Sequence, residues 1–148
     1  MITPVDSPDI FPRLLELQTE SILGLTDTYT PAELKQWVDY IQTETADRYA
    51  AYFNAVSSGA YGELQGFVSW TEGVTDANVE CLYVREGYRG QGIGQLLLRH
   101  AEADLTGKTV HIRSTLNAQP FYENRGYKFI SRTISRAGLE ISELEKQM

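Results

Sequence analysis

Three glycines in the run Tyr88-Arg89-Gly90-Gln91-Gly92-Ile93-Gly94-Gln95 are spaced for one kind of chemistry. A residue without a Cβ lets a ligand approach the backbone, and successive N–H groups freed in this way converge as an anion nest. A helix beginning near Gly92 adds the positive end of its dipole, so a diphosphate belongs here. Two other phosphate-binding patterns fail. A P-loop requires Lys-Ser or Lys-Thr after its last glycine, whereas Ile93 follows Gly92 and Gln95 follows Gly94. A dinucleotide fingerprint opening at Gly92 requires glycine or alanine at position 97, which is Leu97, and the surrounding strand and downstream acid are of the wrong kind.

The segment Leu82-Tyr83-Val84, followed by Arg89-Gly90-Gln91-Gly92-Ile93-Gly94, resembles the acetyl-CoA motif Arg/Gln-x-x-Gly-x-Gly/Ala of the GNAT superfamily of N-acetyltransferases. Asn117-Ala118-Gln119-Pro120-Phe121-Tyr122-Glu123-Asn124-Arg125-Gly126-Tyr127 is similar to that family's second motif. The resemblance is strong over residues 79 to 130 and extends to the order of elements elsewhere. It implies an α/β (α+β) GNAT fold with residues 1–148 as one domain, in which helices flank a mixed, mostly antiparallel sheet. It also implies that the two central strands, at 79–84 and 110–113, splay apart to admit a pantetheine arm. Acetyl-CoA is then the acyl donor. Its implied contacts are the backbone around Leu82, Tyr83 and Val84, the amides from Arg89 through Gly90, Gln91, Gly92 and Ile93 to Gly94, and the Asn117 side chain, with Phe121 and Tyr122 beside it.

Transfer from a thioester to an amine demands a neutral amine, stabilisation of an oxyanion and a proton for the departing thiolate. An alkyl ammonium titrates near pH ~10.4, so a base must act before attack. Glu80 is the expected base: in a regular strand it shares a face with Leu82 and Val84, beside the thioester, and a bulge would reverse that parity. Glu72 or a chain of waters are the alternatives. Tyr122 is the expected proton donor to sulfur, by family resemblance, and a backbone N–H near Leu82 is the expected oxyanion donor. Trp37 and Tyr40 cover the acceptor side by the same resemblance. The rival reading is an acyl-CoA-binding regulatory module that transfers nothing.

Other residues read as structural. His100 and His111 have no metal-binding spacing with each other or with Cys81, the one cysteine, so no metal is expected. Cys81 lies on the opposite face of a regular strand from Glu80 and is expected to be packing. Ser57-Ser58-Gly59 reads as a turn, since Gly-x-Ser-x-Gly is absent. Arg85, Arg125 and Lys128 are candidates for the ribose phosphate of CoA.

The elements that must position these groups follow from periodicity and punctuation. Ser7-Pro8 reads as a cap and first position for a helix over Phe11 to Leu23, and Thr30-Pro31-Ala32-Glu33 is a capping box ahead of Leu34, Trp37, Val38 and Ile41. Tyr49 to Val56 and Leu64 to Thr71 form a hairpin, with Phe67, Ser69 and Thr71 on one face and Val68 and Trp70 on the other. A polar turn including Asp76 to Asn78 leads to a strand over Val79 to Val84. Ile93, Leu97, Ala101 and Leu105 mark a helix ending near Gly107. Then come a strand at Val110 to Arg113, a helix at Gln119 to Arg125 capped by Gly126, and strands at Tyr127 to Ile134 and Leu139 to Leu144.

With 148 residues, 42% hydrophobic and 22% charged, the chain is expected to bury a continuous core. The N-terminus lacks the features of a secretory signal, and no apolar run approaches the ~20 residues of a membrane helix, so a cytoplasmic protein without membrane contact is expected. The net charge of −7 disfavours nucleic acid and favours a cationic amine acceptor. Edges of the closing hairpin offer a surface for a homodimer.

Overall fold

Seven strands form one sheet in the order β1-β2-β3-β4-β5-β7-β6 in the computed structural model, which describes residues 2–5, 8–43, 54–59 and 63–148. The strands are β1 (Ile2–Pro4), β2 (Asn54–Ser58), β3 (Gly66–Glu72), β4 (Asp76–Val84), β5 (Thr109–Ser114), β6 (Lys128–Ile134) and β7 (Glu140–Gln147). Among the described residues four α-helices accompany them: α1 (Phe11–Leu23), α2 (Pro31–Thr43), α3 (Ile93–Ala103) and α4 (Gln119–Glu123). Strands β4 and β5 run parallel, and the other pairs are antiparallel. This is the mixed, mostly antiparallel sheet that the resemblance implies.

The two faces of the sheet are covered by different helices, as strand alternation requires. On one face α3 lays Leu97, Leu98 and Ala101, with Leu105 just beyond its end, over Val68, Trp70, Ala77 and Val79. On the other, α1 lays Leu14 and Leu17 over Phe67 and Cys81. Full burial of each such side chain is worth about 1.5–3 kcal/mol. A third cluster gathers Ile22, Leu34 and Ile41 with Tyr29 and Leu139, joining both N-terminal helices to the start of β7.

The capping box forms as read: Glu33 N–H donates to Thr30 Oγ1 (3.2 Å) and Thr30 N–H to Glu33 Oε1 (3.0 Å). Gly126 takes the left-handed conformation, with φ of 92°. The helix at Phe11–Leu23 starts instead from Ile10 without a side-chain cap, after a 3₁₀ turn at Pro8–Ile10; Ser7 and the segment 49–53 lie outside the described residues.

Two readings are corrected. Ser57 and Ser58 are not a turn but belong to β2, because β1, a strand with no alternation long enough to read, pairs with them on the outer side. Asp76 to Asn78 open β4 rather than a turn, since exposed Asp76 and Asn78 alternate with buried Ala77 and Val79. The helix at 119 closes two residues early, and β7 runs three residues beyond its expected end.

Candidate active site

The cleft begins with a disagreement of register. Ser69 pairs with Cys81 and Trp70 with Val79, so Glu80 is an extra residue bulged out of β4. A bulge shifts the parity of everything beyond it. Ala77 and Val79 face α3, Cys81 and Tyr83 pack on the α1 side, and Leu82 and Val84 return to the α3 side. Glu80 therefore does not share a face with Leu82, as a regular strand would dictate. It is exposed and accepts a hydrogen bond from Thr71 Oγ1 at 2.9 Å. Thr71 lies on the α1 side, so Glu80 and Cys81 occupy the same face rather than opposite ones.

Pairing between β4 and β5 covers Asp76–Thr109 to Val79–Ile112 and stops there. From Glu80 to Val84 the edge of β4 that faces β5 has no strand partner, and the two strands part. The gap opens into a cavity of about 530 Å³, walled by Glu80 to Tyr83 and by residues 111–115 of β5 and its exit. The expected splay is thus present, and the bulge sits at its apex.

At the α3 end of this cleft, none of the amides from Gly90 to Gln95 donates to a backbone carbonyl, the first such bond being Leu96 N–H to Gly92 O (3.0 Å). Gly92 is the N-cap of α3 with φ of 80°, a left-handed backbone that side-chain-bearing residues disfavour. A Cβ built on Gly90 or Gly92 would meet nothing within 4 Å, so both face open space. Gly94 differs. A Cβ there would lie 3.4 Å from Phe121 Cζ and 3.6 Å from Val84 Cγ2, so this glycine admits protein, letting α4 close on the start of α3. Arg89 Nε donates to Val84 O (3.0 Å), fixing the turn to the end of β4.

Helix α4 holds Tyr122 at 7% exposure, its ring edge-on to Phe121 (5.1 Å) and Tyr127 (5.9 Å). Tyr122 lines the cavity. Burial, with the Cys81 thiol adding to it, pushes its hydroxyl well above the ordinary phenol range. Arg125 braces the same helix: its guanidinium stacks 3.7 Å from the Phe121 ring centre, and Nη1 donates to Phe121 O (2.8 Å). Tyr127 in turn donates to the buried Glu102 (2.7 Å), which Lys146 approaches at 3.3 Å. None of that network was legible, because residues 102, 127 and 146 share no spacing.

The expected site residues do not all converge. Leu82, Val84 and Ile93 pack on the α3 side with Phe121. The Tyr83 side chain turns the other way, 5.8 Å from Phe67, and its hydroxyl accepts from Gln18 Nε2 (3.4 Å). Asn117 is exposed on the 3₁₀ turn after β5 and is not part of the cavity wall. Gln91 is exposed within the glycine turn. Glu72, the alternative base, is tied to Lys108 (2.8 Å) and lies away from the cavity. His100 is exposed on α3, and Lys128 is exposed on β6. His111 does reach the wall, paired with Asp76 at 2.8 Å; that bond, with a second from Thr75, holds the Asp76 carboxyl below its ordinary range.

Trp37 and Tyr40 of α2 line the cavity as the resemblance implies, joined by Gln18 of α1 and by Ser135, Arg136 and Ala137 of the β6–β7 turn. Nothing in the sequence showed that this turn reaches back over the cleft. Tyr29 was missed too. Its hydroxyl donates to Glu140 O (2.7 Å) and accepts from Leu116 N–H (3.1 Å), tying the α1–α2 connection to both β7 and the exit of β5. Among the described residues no group of three His, Cys, Asp or Glu side chains could hold a metal ion, and no helix is long and apolar enough to cross a membrane.

A sheet parted between its two parallel strands, beside a glycine turn that opens a helix, is the architecture of the GNAT acetyltransferases. A family model described as "Acetyltransferase (GNAT) domain" matches residues 25–148, and the chain belongs to that family. Solved structures agree on the fold. A GCN5-related N-acetyltransferase from Rhodopseudomonas palustris superposes with a TM-score of 0.83 at 22% identity, over 100% of this chain and 95% of that one. The PaiA N-acetyltransferase of Thermoplasma acidophilum, solved with coenzyme A, gives 0.76 at 17% identity over 100% and 99%. An aminoglycoside 6'-N-acetyltransferase from Enterococcus faecium gives 0.66 at 19% identity over 99% and 96%.

Proposed function

We propose that this acetyltransferase moves the acetyl group of acetyl-CoA onto a primary amine of a small molecule or peptide, by direct attack in a ternary complex. One observation carries the reading. The unpaired edges of β4 and β5 open one cavity that has Tyr122 and Glu80 on its wall, next to a turn of free amides at Gly90 to Gln95.

The amides and the α3 dipole suit the diphosphate, and the gap between the strands suits the pantetheine arm. Glu80, or a water held by it, takes the proton of the incoming ammonium. The amine nitrogen then bonds to the thioester carbonyl carbon while an unpaired N–H near Leu82 meets the oxygen. As the C–S bond breaks, its electron pair leaves with sulfur and Tyr122 supplies the proton; the amine nitrogen gives up its second proton to water, the Tyr122 phenolate takes one back, and the products are an amide and a free thiol. Loss of Glu80 from the Leu82 face favours this role: the bulge turns its carboxylate toward the side lined by Trp37 and Tyr40, from which an acceptor would come.

Thiol release from acetyl-CoA, measured across polyamines, amino acids, aminoglycosides and peptides, tests the proposal. Amine-dependent release is expected. A chain that binds CoA but releases thiol with no acceptor would instead be a coenzyme-binding regulatory module. Binding is read from thermal stability, where ligand at 100 times its dissociation constant adds about 2.7 kcal/mol.

A further inference from the structure

The β6–β7 turn is built more firmly than a surface connection needs. Ser135 N–H donates to Leu139 O (2.8 Å), Gly138 N–H to Ser135 O (2.9 Å), and Leu139 N–H to Ser135 Oγ (3.2 Å). Gln36 of α2 donates through Nε2 to Ala137 O at 2.6 Å, pinning the turn from outside. Gly138 has φ of 88°, and a Cβ there would collide with the Gln36 amide. Arg136 is therefore presented from a fixed platform, with Ser135 and Ala137, at the wall of the cavity that Glu80 also lines.

Charge is distributed unexpectedly around this cavity. The chain as a whole carries −7, yet among the described residues Glu80 is the one acid on the wall, against Arg113 and Arg136. His111 has Asp76 at 2.8 Å, and Arg113 has Glu143 at 3.6 Å. Arg136 has no carboxylate partner among the described residues. Arg136 is exposed and borders the cavity; a guanidinium at that border is a fork for a carboxylate and repels a purely cationic ligand.

Resting on the acyl-transfer reading, we propose that the acceptor is an amino carboxylate, a small molecule whose amine is acetylated while its own carboxylate is held by Arg136. Glu80 and Arg136 then bracket the two charges of one zwitterion, and Trp37 and Tyr40 cover its apolar part. This narrows the acceptor to a class opposite to the one that net charge alone favours.

The test compares thiol release with each standard α-amino acid, β-alanine and 4-aminobutyrate against the amine left when each loses its carboxylate, with spermidine as a polycation. The expected result is at least one amino acid whose kcat/KM exceeds that of its decarboxylated partner and of spermidine by tenfold or more. Arg136→Gln should raise KM for that amino acid about tenfold to a hundredfold, with kcat and coenzyme affinity little changed, and Arg136→Lys should restore part of it. Transfer that runs equally well without the carboxylate, or that is indifferent to Arg136→Gln, overturns the inference and leaves acyl transfer standing. Coenzyme binding with no thiol release from any acceptor removes acyl transfer itself, and the inference with it.

Discussion

Val79 faces Ile112 across the last rung shared by β4 and β5, and the residue after Val79 is the bulged Glu80. The end of strand pairing and the reversal of side-chain parity thus fall at one place. A single local irregularity coincides with the opening of the cleft and turns the Glu80 carboxylate to the face of Thr71.

Glu80→Gln should lower the rate at pH 7 by roughly a hundredfold, the scale of general base catalysis. The variant should recover as pH rises, by about tenfold per unit toward the amine's own pKa near ~10.4, because hydroxide then does what the carboxylate did. Initial rates from pH 6.5 to 10 check this; equal losses at every pH would remove Glu80 from the proton path.

The Tyr122 hydroxyl is buried and far above its ordinary pKa, so it stays protonated throughout the working pH range. Tyr122→Phe should reduce kcat by about tenfold or more while coenzyme affinity stays within about twofold. Calorimetry alongside single-turnover kinetics separates the two quantities. An unchanged kcat would leave Tyr122 as cavity lining alone.

Gly92→Val introduces two faults. Its left-handed φ costs a branched residue about 1–2 kcal/mol, and the new side chain projects into the open space beside the free amides. We expect a folded protein with lowered melting temperature and CoA affinity reduced at least tenfold. Undiminished affinity would place the diphosphate elsewhere.

Three buried tyrosines are expected to weaken the fold at alkaline pH. Burial raises the hydroxyl pKa of Tyr29, Tyr122 and Tyr127, with the charge of Glu102 adding at Tyr127. In the unfolded chain these phenols ionise near pH ~10, while folded they hold their protons longer, so above that pH the unfolded state binds fewer protons. Their contribution is constant below pH ~10 and declines as pH rises above it. Melting temperature should fall from there, and less steeply in Tyr127→Phe; parallel slopes would contradict the assignment.

Much of the frame was legible because its signals are local. The capping box at Thr30–Glu33 and the helix start at Gly92 each depend on residues within one turn of chain, and both formed as read, whereas Gly94 makes room for Phe121 instead of a ligand. The face of Glu80 was not legible, since a bulge is decided by how β3 and β4 register, not by the residues of β4. Arg136 and Tyr29 escaped for a related reason: each is placed by contacts with chain segments far away in sequence, Gln36 to Ala137 beside Arg136 and Tyr29 to Leu116 and Glu140. Periodicity carries no record of such partners.

The amides from Gly90 to Gln95 that no backbone carbonyl takes up belong to the main chain. An alanine scan would pass over them without a signal, because truncating Gln91 or Ile93 removes no amide. Only bulk added at this corner, never atoms taken away, can test whether it holds a diphosphate.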